Sequence, residues 1–142
     1  MAAYKAKQMI VMRRDLKMRK GKIAAQAGHA CVDATLKALA AHGADGRGVA
    51  LDDDGEVRFA AGDESPLAAW FSAGVAKVCV YVDGEDALLD VAQQAMDQGF
   101  LVALVRDAGI TEFHGEPTYT CLAIEPLFPE QVDPITGGLP LY

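Results

Sequence analysis

The sequence predicts an α/β layered domain, spanning residues 1–142, with a mixed four-stranded sheet. Three observations predict it. The length of 142 residues is usual for one domain, and 51% of the residues are apolar, which is enough to fill a core. Four segments are apolar and rich in strand-forming residues. Between them lie segments with helical periodicity, in the order strand, helix, short helix, strand, helix, strand, strand.

The first strand and the first helix flank a basic turn. The strand is KQMIVMR, residues 7–13, which has a short apolar centre. Residues 14–20 are polar and Gly21 closes the turn, so a helix is expected from Lys22 to His42, with Gly43 ending it. The next segment, 43–65, is rich in Gly and Asp. In it VAL and VRFA flank DDDG, which predicts a small surface hairpin rather than a second domain.

The middle of the chain carries clear start and stop signals. Residues 65–66, Ser–Pro, are an N-cap followed by a proline at N1, and they open a short helix that stops at Gly74. AKVCVYV, residues 76–82, is nearly all apolar, as is typical of a central strand. Residues 83–98 follow an amphipathic helical pattern, with Gly99 as the residue after its end.

Two more strands complete the sheet. They are FLVALVRD, residues 100–107, and TYTCLAIEP, residues 118–126. In the last strand, regular alternation predicts one face with Tyr119, Cys121 and Ala123 and the other with Thr118, Thr120, Leu122 and Ile124.

The charge is distributed unevenly along an acidic chain. The net charge is −7, yet 8 of the 13 basic residues fall within the first 22 positions, where only Asp15 opposes them, leaving +7 there and −14 elsewhere. Such asymmetry suggests an anionic partner for the N-terminal end, although a solvated charged turn would look the same.

Several classes of protein are disfavoured. No apolar run reaches the roughly 18 residues of a membrane span, and no apolar leader opens the chain, so a cytoplasmic protein that does not bind membranes is expected. Cys31, Cys79 and Cys121 lie far apart among apolar neighbours, which predicts buried reduced thiols rather than disulfides or a zinc site.

The first helix carries a polar stripe. At about 100° per residue, an arc of roughly 60° contains Lys22, Gln26, His29 and Asp33, next to a stripe of small apolar residues. This stripe starts at the helix N-terminus, whose unpaired N–H groups favour anions. Together with Lys17, Arg19 and Lys20 it predicts a phosphate site, but the nucleoside-triphosphate loop GxxxxGK[ST] is absent. His29 is a general base, an orienting residue or a structural one.

A second polar cluster follows the strand FLVALV. Asp107 stands where that strand ends, and ligands of open α/β sheets bind beyond the carboxyl ends of strands. The same edge could be lined by Thr111, His114, Thr118 and Thr120. The alternatives are that Asp107 only caps the DAG turn, that the threonines reflect β propensity, and that His114 is a surface residue.

These blocks together resemble the type-2 peptidyl-tRNA hydrolases. VMRRDLKMRKGKIAAQAGHA is similar to the N-terminal signature of that family, and LVRDAGIT to its DAG-x-T turn. Trp70 and Gly74 before KVCVYV, then TYTCLAIEP and VDPITGGLPL, resemble further blocks in the same order. The resemblance covers most of the chain except about 43–65.

That resemblance implies a three-layer α/β/α fold, usually a homodimer, and cleavage of the ester between peptide and tRNA without metal or organic cofactor. The family's catalytic positions fall on Lys22, His29, Asp107 and Thr111, and a further threonine matches Thr120. Hydrolysis needs a water held by a base or an orienting group, and donors for the oxyanion. The tRNA phosphates would be held by Lys17, Arg19, Lys20 and Arg13.

Some residues depart from the family pattern. Arg19 replaces a usual Gly, Glu125 replaces a common Gly, the loop between Thr111 and Thr118 is one residue longer, and the insertion at 43–65 has an acidic centre that would repel tRNA if it lay near the site. A non-catalytic RNA- or protein-binding member of the fold is therefore the competing hypothesis. A hydrolase that uses Cys31 and His29 is a weaker third hypothesis, because side chains two positions apart on a helix point about 160° away from each other.

Overall fold

The structure is a computed structural model that describes residues 4–109, 113 and 115–142. Ten elements follow one another along these residues: β1 Gln8–Arg13, α1 Lys20–Ala44, β2 Val49–Leu51, β3 Val57–Phe59, α2 Pro66–Ser72, β4 Lys77–Val82, α3 Glu85–Asp97, β5 Val102–Asp107, β6 Thr118–Ile124 and α4 Pro129–Thr136.

The main sheet has four strands in the order β4-β1-β6-β5. β1 is parallel to β4, with Arg13 opposite Val82, and β6 is antiparallel to both β1 and β5. The predicted mixed sheet is therefore confirmed. Because β1, β4 and β5 run in the same direction, their carboxyl ends share one edge of the sheet, which brings Asp107 to the same edge as the basic turn after β1.

Helices cover both faces, so the expected three-layer α/β/α arrangement is confirmed. On one face α1 buries Ala30 and Ala34, part of its predicted small-residue stripe, against Ile10, Met12 and Cys121 of the sheet. On the other face α3 and α4 bury a cluster that contains Val11, Val80, Leu88, Ile124 and Val132. Small side chains on α1 let its backbone approach the sheet closely, which brings the neighbouring polar stripe to the sheet edge.

The last strand does not alternate as predicted. Its pairing with β5 shifts register between Val105 opposite Cys121 and Arg106 opposite Tyr119, so Thr120 is an extra residue. Tyr119 packs on the α3/α4 side while Cys121 packs beneath α1, although simple alternation put both on one face. The bulge also turns Thr120 toward α1. A bulge of this kind redirects a side chain without ending the strand.

The segment 43–65 forms the predicted hairpin, β2 paired with β3, away from the main sheet. Its base is fastened to the last turn of α1 by the buried pair His42 Nε2 and Asp63 Oδ2, 2.7 Å apart. Lys22 and His42 are separated by 20 residues of one helix, or about 30 Å. The base of the insertion therefore lies at the end of α1 opposite to Lys22.

The remaining differences are local. α1 begins at Lys20 and runs past Gly43 to Ala44, so Gly43 does not end it. α4 lies where only a tail was expected. Ser65 caps α2 as predicted, and Gly99 has a φ of +81° after α3. Within the described part of the chain, no helix has the length and apolar character needed to cross a membrane.

Candidate active site

A buried ion pair joins the start of α1 to the end of β5. The ammonium of Lys22 donates to Asp107 Oδ1 at 2.7 Å, and the two side chains are only 16% and 13% exposed. Lys22 stands in the first turn of α1, and Asp107 is the last residue of β5. The packing of α1 across the sheet therefore brings together two residues that are 85 positions apart in the chain.

The turn after β5 fixes the carboxylate of Asp107. Its Oδ2 accepts the backbone N–H of Gly109 at 2.8 Å. Gly109 has a φ of +84°, and a Cβ at this position would overlap the backbone of Glu116, so the turn requires glycine. The bond from Lys22 lowers the pKa of Asp107, and the Gly109 N–H lowers it further, against the opposing effect of burial. Asp107 is therefore ionised at neutral pH.

Gln26 connects this pair to the bulged strand. The hydroxyl of Thr120 donates to Gln26 Oε1 at 2.5 Å, and Gln26 Nε2 donates to Asp107 Oδ1 at 3.5 Å. Thr120 and Gln26 are both buried. Gln26 belongs to the polar stripe of α1, but it was not among the predicted site residues. The signal for it was its place on that stripe, one helical turn after Lys22.

The other predicted residues of the site differ in what the structure describes of them. His29 is exposed on α1, one turn beyond Gln26, and its imidazole makes no hydrogen bond to a described residue. Thr111 and His114 lie outside the described residues, as does residue 112 of the longer loop before Thr118. Thr118 donates its hydroxyl to the carbonyl of Glu116 at 2.8 Å, so it stabilises the loop.

The basic residues fall into two groups. Lys17, Arg19 and Lys20 are exposed around the N-terminus of α1, and the N-cap side chain makes no capping hydrogen bond there. Arg19, the N-cap residue, has a φ of −64°, so replacing glycine there strains nothing. Arg13 is different. It is buried and donates to both carboxylate oxygens of Asp15.

Arg13 also donates to a backbone carbonyl of β6, that of Tyr119, at 3.0 Å. With its donors engaged by a carboxylate and a carbonyl, this guanidinium has little surface left for a phosphate. Arg13 therefore joins the basic turn to the sheet. The exposed group, Lys17, Arg19 and Lys20, is the better candidate for contacts with an anion.

The arrangement suits hydrolysis assisted by charge and hydrogen bonds. An ionised carboxylate with a lowered pKa is a weak base, but it orients a water molecule or an ammonium well. The ammonium of Lys22 is a donor for a developing oxyanion.

A thiol mechanism is disfavoured, because burial raises the pKa of Cys31, and Cys31 lies inside while His29 is exposed. No group of His, Cys, Asp and Glu among the described residues is placed to hold a metal ion.

Residues 6–142 match the family described as peptidyl-tRNA hydrolase PTH2. A peptidyl-tRNA hydrolase of Thermococcus onnurineus is 36% identical over 140 residues, 97% of this chain and 98% of its own. One of Methanopyrus kandleri is 38% identical over 136 residues, with 95% and 97% covered. Among solved structures, a protein of unknown function from Agrobacterium tumefaciens superposes with a TM-score of 0.53 over 98% of both chains. It is 14% identical, so it supports the fold alone.

Proposed function

The chain belongs to the peptidyl-tRNA hydrolase PTH2 family, and we propose that it hydrolyses the ester bond between a peptide and tRNA. The reaction releases tRNA for reuse in translation, which is why we expect the protein in the cytoplasm. The observation that carries the proposal is the buried pair of Lys22 and Asp107, which lies beside the exposed basic residues at the start of α1. A reacting ester and a polyanion can be held next to each other there.

In the proposed mechanism, Asp107 orients the attacking water and Lys22 stabilises the oxyanion of the tetrahedral intermediate. Gln26 is a positioning residue, because it contacts the carboxylate through Nε2 and takes the Thr120 hydroxyl on Oε1. His29 follows on the same stripe, and we propose that it carries a proton to or from the reacting groups. Thr111, at the family position after the DAG turn, is proposed to hold the water together with Asp107.

The tRNA backbone is proposed to bind at the N-terminus of α1 through Lys17, Arg19 and Lys20. Helix N–H groups and lysine ammoniums contact phosphates without reading sequence. The acidic insertion is attached at His42, about 30 Å along the helix from Lys22. At several Debye lengths of about 8 Å, charge at that end of the helix is largely screened from this site.

A homodimer is proposed on the family resemblance, and α1 offers a surface for it. Val32 and Leu36 lie four residues apart on the outer side of this helix, and each is about 60% exposed. Exposed large apolar residues that lie together mark interaction surfaces. Sedimentation of wild type and Leu36→Glu tests this, since a dimer through this surface should dissociate in the variant and a wild-type monomer contradicts the proposal.

The central experiment follows acyl release from N-acetylaminoacyl-tRNA by purified protein. Wild type should be active, while Lys22→Met should lower kcat by about 10²–10³-fold, the usual effect of losing one oxyanion donor. Asp107→Asn should also lower kcat, because the attacking water would no longer be oriented by a carboxylate. Lys37→Met removes a lysine from an exposed pair on the same helix and should be fully active. A wild type no faster than the two site variants would reject the enzyme and favour a binding protein.

The phosphate contact has its own test. Lys20→Ala should weaken binding of tRNA and reduce the slope of log K against log salt concentration by about one, because one fewer counterion is released. Lys37→Ala is the control, and its slope should equal that of wild type. An unchanged slope for Lys20→Ala would mean that Lys20 does not contact phosphate.

A further inference from the structure

A second polar and aromatic surface lies at the same edge of the sheet, outside the site described above. Arg14 follows β1, and its guanidinium carbon lies 3.8 Å from the centroid of the Tyr81 ring on β4. Asp83 accepts from Nε and Nη2 of Arg14 through its two oxygens, both at 3.3 Å. The ring of Tyr142 meets that of Tyr81 edge-on, with centroids 5.7 Å apart.

These contacts fix the guanidinium plane. The Asp83 carboxylate binds two nitrogens on one edge of the guanidinium and so fixes its rotation within its own plane. The Tyr81 ring beneath the guanidinium fixes the tilt of that plane. The side chain of Arg14 is still 50% exposed and Tyr142 is 46% exposed. The molecule therefore presents a flat cation and an aromatic ring to solvent in a prearranged geometry, with less ordering left to occur on binding.

The backbone holds Tyr142 in place. Residues 140–142 run along the free edge of β4, where the N–H of Tyr81 donates to Pro140 O at 3.0 Å and the N–H of Tyr142 donates to Cys79 O at 3.1 Å. α1 packs over β1, β6 and β5, while Cys79 and Tyr81 on β4 remain only partly buried. The surface is thus an uncovered part of the α1 side of the sheet.

Its position suits the same substrate. β4 and β5 are separated by three strand spacings of about 4.8 Å, so the ends of these strands lie roughly 14 Å apart along one edge. The exposed basic turn lies between β1 and α1, at that edge. A strand of RNA whose phosphates contact the turn can therefore reach both the Lys22–Asp107 pair and the Arg14 surface.

The chemistry of the Arg14 surface favours a nucleobase over a phosphate as its ligand. Asp83 neutralises Arg14, which weakens its attraction for another anion, whereas planar guanidinium and aromatic groups stack on unpaired bases. Resting on the proposed function, we propose that the guanidinium face of Arg14, supported from beneath by Tyr81, stacks an unpaired base of the tRNA 3′ end, upstream of the ester-linked nucleotide, and that Tyr142 flanks this base. This contact contributes affinity and alignment and takes no part in the chemical step.

Binding of uncharged tRNA tests the proposal without requiring hydrolysis. Dissociation constants are measured for intact tRNA and for tRNA whose unpaired 3′ nucleotides have been removed. Arg14→Lys keeps the positive charge but removes the planar guanidinium group, and Tyr142→Ala removes the exposed aromatic ring. Arg47→Lys is the matched control, since Arg47 is equally exposed and pairs with Asp45 at the far end of α1.

Stacking predicts that Arg14→Lys and Tyr142→Ala weaken binding of intact tRNA by about 5–150-fold, the equivalent of about 1–3 kcal/mol per base, with no change in salt slope. Neither should affect binding of the truncated tRNA, and Arg47→Lys should match wild type on both. Equal losses on both tRNAs, a reduced salt slope, or an altered oligomeric state in the Arg14 variant would each overturn the proposal.

The two proposals fail separately. A wild type that hydrolyses no ester but loses affinity on truncation as expected would contradict the enzyme and leave the stacking surface intact. A wild type that hydrolyses the ester and binds both tRNAs equally would contradict the stacking surface alone.

Discussion

Replacing Lys22 with methionine tests whether the site contains a buried ion pair that also stabilises the fold. Methionine keeps most of the volume and the helix propensity of lysine and removes its charge. Asp107 would keep the backbone N–H of Gly109 and the long contact from Gln26, but it would lose the ammonium 2.7 Å away. The carboxylate would then remain mostly buried without the group that does most to lower its pKa.

The magnitude follows from burial. Breaking a fully buried pair costs about 3–5 kcal/mol, whereas exposed pairs are worth about 0–1 kcal/mol. With side chains 16% and 13% exposed, we expect Lys22→Met to lose about 2–3 kcal/mol of unfolding free energy at pH 7. For a chain of this length that corresponds to a fall in Tm of about 6–12 °C.

The pH dependence has a definite sign. Because the folded pKa of Asp107 is lowered, its ionisation stabilises the fold above the ordinary pKa of aspartate, about 3.9, and this stabilisation is lost as pH falls through the folded pKa. The difference between wild type and Lys22→Met should therefore be largest at neutral pH and shrink below about pH 4.

Urea denaturation at pH 7 and at pH 3 measures both quantities. The control is Lys37→Met on the same helix, which breaks an exposed pair with Asp33 and should cost at most about 0.5 kcal/mol. If Lys22→Met cost no more than Lys37→Met at pH 7, or if its cost were the same at pH 3, the burial argument would be refuted.

Three further substitutions test the surroundings of the pair by denaturation. Thr120→Val should lower the free energy of unfolding by about 1–3 kcal/mol, because Gln26 Oε1 loses its buried donor. Thr120→Ser keeps the hydroxyl donor and should retain most of that stability. Gly109→Ala should lower the free energy of unfolding more than Gly115→Ala, since both glycines have positive φ but of the two only Gly109 lacks room for a Cβ. Equal losses would contradict the close contact between Gly109 and the Glu116 backbone. Burial raises the pKa of Glu125, so its ionisation opposes folding as pH rises through that pKa, and Glu125→Gln should be more stable than wild type at pH 7 but not at pH 3.

Local signals in the sequence predicted most elements, because the same residues start and end those elements through contacts with their near neighbours in the chain. Ser65 caps α2 through its own hydroxyl, and Gly99 takes the positive φ that follows α3. The bulge at Thr120 is different, since it depends on register against β5, which no local pattern in β6 encodes. α4 was missed because Pro134 lies inside it, and proline normally argues against a helix interior.

The site was predictable in its parts and not in its connections. The stripe on α1 and the end of β5 each indicated a functional residue, and the resemblance joined Lys22 to Asp107. Gln26 was not predicted as a site residue, because a glutamine one helical turn from a lysine usually faces solvent. It becomes a site residue only when the bulge turns Thr120 toward it, which is a tertiary event.

Under the proposed function, the uneven charge follows from which edge of the sheet binds the tRNA phosphates. The fold directs the basic turn to the carboxyl ends of β1, β4 and β5, and it moves the acidic insertion to the far end of a 25-residue helix. With a Debye length of about 8 Å, charges separated in this way act almost independently. An overall charge of −7 thus coexists with a locally basic edge. Within that edge, Arg13 and Arg14 each pair with an aspartate, whereas Lys17, Arg19 and Lys20 are the residues proposed to contact phosphate, and the fixed plane of Arg14 is proposed to stack a base.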